Sequence, residues 1–261
     1  MNIFGLSEKK IPYYGILGVI GMLCGFIYIL IRCKDDKNKL SDVTYTYVWA
    51  ILFALLGAKI LYIITDIPNI ISKAMSAQSP IFVILSRIAT AGFVFYGGLY
   101  GSIIGTAIAC KYFGLERAKI LDILLPTLPL VHAFGRLGCL SVGCCYGKET
   151  SIWPAIVYAH SDYAPNGVNL IPVQLYEAIF EFLMFILLAI LLHRFHRLGK
   201  NSENLLFMYL SLYSIFRFIL EFFRGDEIRG IWLGLSTSQW ISIITICVTA
   251  IHHFIGDSIE E

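Results

Sequence analysis

Residues 11–31, with the sequence IPYYGILGVIGMLCGFIYILI, decide the class of fold. The stretch contains no Asp, Glu, Lys or Arg, and its length matches the roughly 20 residues with which an α-helix crosses about 30 Å of hydrocarbon. It is too long for the apolar part of a cleaved signal peptide, and its end, just before Arg32, has no small-x-small cleavage sequence. We therefore expect a membrane-spanning helix that is retained in the protein.

Six further apolar stretches extend the same pattern along the chain. They cover residues 43–65, 88–110, 120–134, 173–192, 204–223 and 230–256. The 261 residues are 57% hydrophobic and only 15% charged, against roughly 25% charged in soluble domains, which excludes a soluble globular enzyme. The net charge of +2 argues against nucleic acid as a partner. The sequence predicts an all-α integral membrane protein with about seven transmembrane helices, folded as one polytopic domain over residues 1–261.

The loops between these stretches predict the orientation. Loops 32–42, 111–119 and 194–203 hold ten of the twenty Lys and Arg residues, and short loops rich in Lys and Arg tend to stay in the cytoplasm. The N-terminus and the longer segments that contain the polar motifs then face outward.

Four polar residues near the outer end of the sixth span share one face of a helix. Tyr213, Arg217, Glu221 and Arg224 are spaced by four, four and three residues, the spacing of one helical stripe. Ionisable groups at membrane depth are costly and normally face a cavity or a functional site. A structural ion pair between Arg217 and Glu221 is the alternative, but it would leave Tyr213 and Arg224 unexplained.

The fifth span repeats this arrangement. Gln174, Glu177 and Glu181 follow each other at helical spacing. Two carboxylates four residues apart repel each other unless a cation lies close. We expect Arg217 or Arg136 to supply that cation.

A glycine-rich segment, HAFGRLGCLSVGCCYGK at residues 132–148, follows two prolines in the fourth span. Its four glycines predict an irregular site loop, which membrane proteins tolerate where the loop lines a polar cavity. Arg136 in this segment is suited to bind an anionic group, because a guanidinium meets phosphate through two parallel hydrogen bonds.

The same segment carries Cys139, Cys144 and Cys145. A zinc site, a disulfide, a catalytic thiol and simple apolar packing are all compatible with three cysteines here. The spacing C-x4-C-C differs from the usual zinc-binding pattern, so we predict neither a metal nor another cofactor.

In order and spacing, these polar motifs resemble those of the prolipoprotein diacylglyceryl transferase family. The matching elements span most of the chain: Gly57-Ala-Lys59, Tyr96-Gly97-Gly98-Leu99-Tyr100-Gly101, Gly135-Arg136-Leu137-Gly138, Gly147, Pro172-Val173-Gln174-Leu175-Tyr176-Glu177 and Tyr213-x3-Arg217-Phe218-x2-Glu221-Phe222-Phe223-Arg224. The sequence Gly-Cys-Cys-Tyr-Gly at residues 143–147 resembles a divergent branch of the family.

The resemblance implies an enzyme that acts at the outer face of the bacterial inner membrane. Members of the family move a diacylglyceryl group from phosphatidylglycerol to the sulfur of a lipobox cysteine in a prolipoprotein, and they release glycerol 1-phosphate. By the same resemblance, the expected catalytic residues are Arg136, Arg217, Glu221 and Tyr96. The expected substrate-binding residues are Tyr213, Arg224, Gly97, Gly98, Gly138, Gly147, Gln174, Tyr176 and Glu177.

Three polar positions depart from the family pattern. Tyr96 stands where the family has a histidine often proposed as the base, Cys139 replaces an asparagine, and Cys144 replaces a glutamate. A tyrosine hydroxyl is a poor base near neutral pH. The departures leave two alternatives open: transfer from an anionic phospholipid to a different acceptor, and lipid binding or transport without chemistry.

Overall fold

The computed structural model describes residues 13–34, 37–75, 79, 81–82, 85, 94–197, 203–226 and 231–260. Within these residues the chain forms eight α-helices and two short antiparallel β-hairpins, so the all-α prediction is confirmed. The helices are α1 (Tyr13–Arg32), α2 (Lys37–Met75), α3 (Phe95–Phe113), α4 (Arg117–Leu124), α5 (Thr127–Val142), α6 (Val173–Arg197), α7 (Glu203–Glu221) and α8 (Thr237–Glu260). The hairpins pair β1 (Ile156–Val157) with β2 (Asn169–Leu170) and β3 (Ile231–Trp232) with β4 (Leu235–Ser236).

Four of the described helices are long and apolar enough to cross a membrane. Their spans are Tyr13–Arg32, Lys39–Lys73, Val173–Phe195 and Asn204–Glu221. Large apolar side chains such as Leu23, Leu52 and Leu183 lie exposed on them, as expected of a multi-pass membrane protein in contact with lipid. The count of seven spans stays a prediction, and residues 88–93, at the start of the third predicted span, lie outside the described residues.

The fourth predicted span, 120–134, is divided between α4 and α5. The N–H of Leu125 still donates to the carbonyl of Leu121 at 2.9 Å, whereas Pro126 has no N–H to donate. The hydroxyl of Thr127 donates to the carbonyl of Leu124 at 2.6 Å and bridges the break. A new helix, α5, therefore begins here and carries Arg136.

Helix α5 corrects the expectation of an irregular loop over residues 132–148. The segment is helical up to Val142, and irregular backbone begins only at Gly143, which has φ 81°. Gly138 is buried against Tyr14 of α1, where a Cβ would lie 3.1 Å from the tyrosine ring. Because water cannot satisfy backbone groups in such an apolar contact, internal helical hydrogen bonds outweigh the low helix propensity of glycine.

The chain divides into two compact units: Met1–Arg32 with Leu121–Glu261, and Cys33–Ile120. In the first unit α1 packs against α5, α5 against α6, and α7 against α8. In the second unit α2 packs along α3. The single polytopic domain expected over residues 1–261 stays a prediction.

Glycines bring α2 and α3 into close contact. A Cβ added to Gly97 would lie 2.3 Å from the carbonyl oxygen of Gly57, and one added to Gly101 would lie 2.2 Å from that of Phe53. Gly97, Gly101 and Gly105 recur every four residues, the spacing that lets membrane helices approach closely. The absence of a side chain at Gly97 is therefore explained by packing of the helices.

Replacing Gly97 by alanine is expected to destabilise the second unit, because neither backbone can move away without loss of the contact. Overpacking of this kind costs about 1–3 kcal/mol. Thermal unfolding in detergent should show a lower midpoint for Gly97→Ala. Gly98→Ala is the matched control, since a Cβ there would have its nearest neighbour at 3.5 Å; equal midpoints for the two variants would contradict the packing account.

Candidate active site

A cluster of buried ionisable side chains lies in the first unit. Arg136 on α5, Glu177 and Glu181 on α6, and Tyr213 and Arg217 on α7 are each at most 7% exposed. Burial of charge is costly unless the charges are paired and hydrogen-bonded. The partner of each charged group therefore shows which groups stabilise the cluster and which are left to bind a ligand.

Arg136 is the cation that pairs with Glu177 of α6. Its Nη2 atom lies 3.0 Å from Oε1 of Glu177, so of the two arginines expected from the sequence, Arg136 pairs with Glu177. The Nε atom of Arg136 donates to Nε2 of His132 at 3.0 Å. These contacts fix the plane of the guanidinium at the centre of the cluster.

His132 links Arg136 to the second carboxylate. Because an arginine N–H can only donate, Nε2 of His132 accepts from Arg136, and the ring proton is on Nδ1. Nδ1 then donates to Oε1 of Glu181 at 2.9 Å. Glu181 also accepts a hydrogen bond from the hydroxyl of Tyr209 at 3.2 Å. His132 is thus neutral, carries its proton on Nδ1, and positions Arg136.

His132 and Tyr209 are not among the site residues expected from the sequence. Each lies four residues before an expected site residue, His132 before Arg136 and Tyr209 before Tyr213. Residues four apart lie on one face of a helix, and that spacing was the signal available in the sequence.

Helix α7 supplies the second arginine of the cluster. Nη2 of Arg217 forms an ion pair with Oε2 of Glu221 at 2.5 Å and donates to the hydroxyl of Ser238 at 3.4 Å. The hydroxyl of Tyr213 donates to Oε1 of Glu177 at 3.2 Å and so joins α7 to α6. Nη1 of Arg217 is buried and has no hydrogen-bond partner among the residues that the structure describes. This donor is available to an anionic ligand.

Arg224 corrects the expectation of a four-residue helical stripe. Helix α7 ends at Glu221, so Arg224 lies in the turn that follows it. Its Nε and Nη2 atoms donate to the two carboxylate oxygens of Asp226 at 2.8 and 2.5 Å, and Nε remains 3.9 Å from Oε2 of Glu221. The backbone of Arg224 pairs with that of Gly147, where a Cβ would lie 2.3 Å from the carbonyl oxygen of Ile171. Gly147 thus permits close packing beneath the arginine.

The remaining predicted residues of α6 lie at its N-terminal end. Nε2 of Gln174 donates to the carbonyl of Cys144 at 2.8 Å, which ties α6 to the turn after α5. Tyr176 lines an apolar cavity of about 390 Å³, a volume typical of sites for small ligands. Other side chains that line it include Trp153, Ile171, Phe216, Leu220 and Phe223.

Tyr96, Gly97 and Gly98 belong to the second unit. Tyr96 is 1% exposed, and its ring stacks on that of Tyr100 with centroids 6.2 Å apart. The close contact between α2 and α3 explains why position 97 is a glycine, whereas Gly98 is less tightly packed. The catalytic and substrate-binding roles expected for these three residues stay predictions.

The three cysteines after Arg136 lie together. All seven cysteines of the chain have free thiols, and the Sγ atoms of Cys139, Cys144 and Cys145 are within 4.8 Å of one another. A hydrogen bond with Cys139 favours the thiolate of Cys144, but the contact with Cys145 and partial burial outweigh it and raise the pKa of Cys144 to about 12. Cys144 is therefore protonated at neutral pH, which argues against a catalytic thiolate at this position.

A family model described as prolipoprotein diacylglyceryl transferase matches residues 2–255. The chain belongs to the prolipoprotein diacylglyceryl transferase family. A Clostridium tetani protein named phosphatidylglycerol–prolipoprotein diacylglyceryl transferase is 36% identical over 246 residues, covering 94% of this chain and 93% of that protein. A Clostridium perfringens protein, whose name adds the number 2, is 36% identical over 248 residues, covering 94% and 90%. A Clostridioides difficile relative is 30% identical over 254 residues, covering 97% and 92%.

The family assignment confirms the resemblance stated from the sequence. As a member of the prolipoprotein diacylglyceryl transferase family, the chain is a transferase with several membrane-spanning helices. The cluster around Arg136 and Arg217 is its candidate active site.

Replacing His132 by alanine is expected to lower the stability of this transferase. The substitution leaves Nε of Arg136 and Oε1 of Glu181 without their partner, and an unsatisfied buried polar group costs about 1–3 kcal/mol. Thermal unfolding in detergent should therefore show a lower midpoint. His160→Ala, at an exposed position, is the control and should unfold like the wild-type protein. An unchanged midpoint for His132→Ala would contradict the positioning role.

Proposed function

We propose that the chain transfers the diacylglyceryl group of phosphatidylglycerol to the thiol of a lipobox cysteine in a prolipoprotein and releases glycerol 1-phosphate. The observation that carries this proposal is Nη1 of Arg217, which is buried beside an ion pair and has no partner among the described residues. A buried guanidinium donor of this kind favours an anionic ligand. The substrates named for the relatives, phosphatidylglycerol and prolipoprotein, supply a ligand with that charge.

The chemistry requires stabilisation of a phosphate leaving group. The acceptor sulfur attacks the glycerol carbon that bears the phosphate, a carbon–sulfur bond forms, and the carbon–oxygen bond breaks. Glycerol 1-phosphate leaves with the bonding electrons. Arg136 and Arg217 stabilise the charge that develops on its oxygen, and Glu221 orients Arg217.

The acceptor thiol must lose its proton, because the thiolate is the nucleophile. A base or a water molecule takes up this proton. Tyr96 belongs to the proposed catalytic set through its hydroxyl, which can hydrogen-bond reacting groups, although a tyrosine is a poor base near neutral pH.

The proposed substrate-binding residues divide by chemistry. Tyr213, Arg224, Gln174 and Glu177 arrange the polar part of the site for the headgroup, and Tyr176 borders the apolar cavity, which suits an acyl chain. The proposed substrate-binding set also includes Gly97, Gly98, Gly138 and Gly147. The site faces the outer side of the bacterial inner membrane in this proposal, because the short loops rich in Lys and Arg favour the cytoplasmic side.

Complementation tests the proposal in cells depleted of their own transferase. The wild-type chain and Arg194→Ala, an exposed position on α6, should restore lipid attachment to a reporter lipoprotein, read as a shift in gel mobility. Arg136→Ala and Arg217→Ala should not. Membrane fractions and immunoblots must show equal amounts of each protein. Failure of the wild-type chain at normal abundance, or full rescue by both arginine variants, would contradict the proposal.

A further inference from the structure

The three thiols near Arg136 form a compact cluster. The Sγ atoms of Cys139, Cys144 and Cys145 all lie within 4.8 Å of one another. Cys139 is buried, and the other two are half-buried. Three sulfur atoms at the corners of a triangle around one metal ion lie about 4 Å apart when each metal–sulfur bond is about 2.3 Å. Small side-chain rotations are therefore enough to place all three around one ion.

The backbone turn after α5 brings the cysteines together despite their spacing. Gly143 has φ 81°, and its N–H donates to the carbonyl of Cys139 at 2.9 Å. Cys145 has φ 60°, a left-handed conformation that is uncommon for residues other than glycine. These two positions turn the chain back, so that Cys144 and Cys145 reach Cys139. A residue kept in this conformation requires surroundings that stabilise it.

Contacts from outside the turn fix its position. Gln174 donates to the carbonyl of Cys144 at 2.8 Å. The hydroxyl of Ser161 donates to the carbonyl of Val142 at 2.8 Å, and that of Tyr158 donates to the carbonyl of Leu140 at 3.0 Å. The three thiols are thus arranged before any ligand binds, as a metal site with defined geometry requires.

The donor set selects a soft cation. Thiolates favour Cu(I) and Zn(II) over hard cations. Structural zinc has four protein ligands, whereas no fourth Cys, His, Asp or Glu ligand atom joins this group in the described part of the chain. Three thiolates alone suit Cu(I). Binding of the metal ion displaces the thiol protons, as it does at other cysteine sites.

We propose that Cys139, Cys144 and Cys145 form a three-thiolate site for Cu(I). This site is additional to the transferase chemistry and does not depend on it. The C-x4-C-C spacing does not predict a metal site, because spacing alone does not reveal the left-handed turn. A bound ion would fix the end of α5, and with it the helix that carries Arg136.

Titration of the reduced, full-length protein in detergent with Cu(I), against a chromophoric Cu(I) chelator, tests the proposal. We expect one Cu(I) per chain and an X-ray absorption spectrum with three sulfur neighbours at about 2.3 Å. Cys144→Ser, at a half-buried position, should lower the affinity by about 10-fold or more without changing the circular dichroism spectrum. The double variant Cys24→Ser/Cys247→Ser is the control and should bind like the wild-type protein.

Three outcomes would overturn the proposal. One is no Cu(I) retained against the chelator. Another is equal affinity for Cys144→Ser and the wild-type protein, and the third is a spectrum with two sulfur neighbours or with four ligands. A mass lower by two hydrogens in protein purified without reductant, together with no Cu(I) binding after reduction, would assign a disulfide to the cluster instead.

Discussion

Replacing Arg217 by lysine is expected to lower the rate of diacylglyceryl transfer by about 100-fold or more, because loss of one preorganised donor to a developing anion typically has an effect of that size. Lysine retains the positive charge and can still pair with Glu221. It lacks the second, separate N–H group that Nη1 of Arg217 provides in the buried cluster. The loss should therefore appear in the rate more than in folding. The measurement is the initial rate with labelled phosphatidylglycerol, together with thermal unfolding of the same sample.

Arg194→Lys is the matched control for this variant. Arg194 is exposed on α6, so the same change of side chain there should leave the rate unaltered. If Arg217→Lys is folded and transfers at the wild-type rate, Nη1 of Arg217 does not stabilise the leaving phosphate.

Replacing Glu177 by alanine is expected to remove most of the folded protein. Oε1 of Glu177 lies 3.0 Å from Nη2 of Arg136 and accepts from the hydroxyl of Tyr213 at 3.2 Å. Without it, Arg136 is a buried charge whose main partner is missing, which costs about 3–5 kcal/mol. That cost is a large part of the roughly 5–15 kcal/mol by which proteins are stable. The yield of monodisperse protein in detergent and its unfolding midpoint should both fall.

One further substitution separates charge from shape at Glu177, and a second, at Glu116, is an exposed control. Glu177→Gln keeps the volume and can still accept hydrogen bonds, so its unfolding midpoint should lie between those of Glu177→Ala and the wild-type protein. Glu116→Gln removes a carboxylate whose ion pair with Lys119 at 2.7 Å is mainly exposed, and such pairs contribute little to stability. Equal midpoints for Glu177→Ala and Glu116→Gln would show that Glu177 does not stabilise Arg136.

Helical periodicity predicted much of the candidate site. Because residues three and four apart share a helical face, the sequence indicated that Glu177 and Glu181 need a cation and that Arg217 can pair with Glu221. The structure confirms a cation for Glu177, which is Arg136, and the contact between Arg217 and Glu221. Glu181 instead accepts hydrogen bonds from His132 and Tyr209. Contacts of this kind depend on helical spacing, which can be read from a sequence, and on the high free-energy cost of buried charge, which applies to any protein.

Tertiary contacts decided what the sequence did not predict. The irregular backbone expected from His132 onward is helical up to Val142, because packing on α1 leaves the backbone no water to bond with. The end of α7 at Glu221 places Arg224 beyond the helix. The meeting of Cys139 with Cys144 depends on a left-handed turn that spacing alone does not reveal.

The most direct test of the proposed function uses the purified protein, phosphatidylglycerol labelled in both its acyl and its glycerol-phosphate parts, and two lipobox peptides that differ only in cysteine or serine at the acceptor position. We expect acyl label on the cysteine peptide and an equal molar amount of glycerol 1-phosphate in solution, with neither product from the serine peptide. Release of glycerol phosphate without label on the cysteine peptide would contradict the proposed acceptor. If the folded protein produces neither labelled peptide nor glycerol phosphate, that result would contradict the assignment of transferase chemistry to this site.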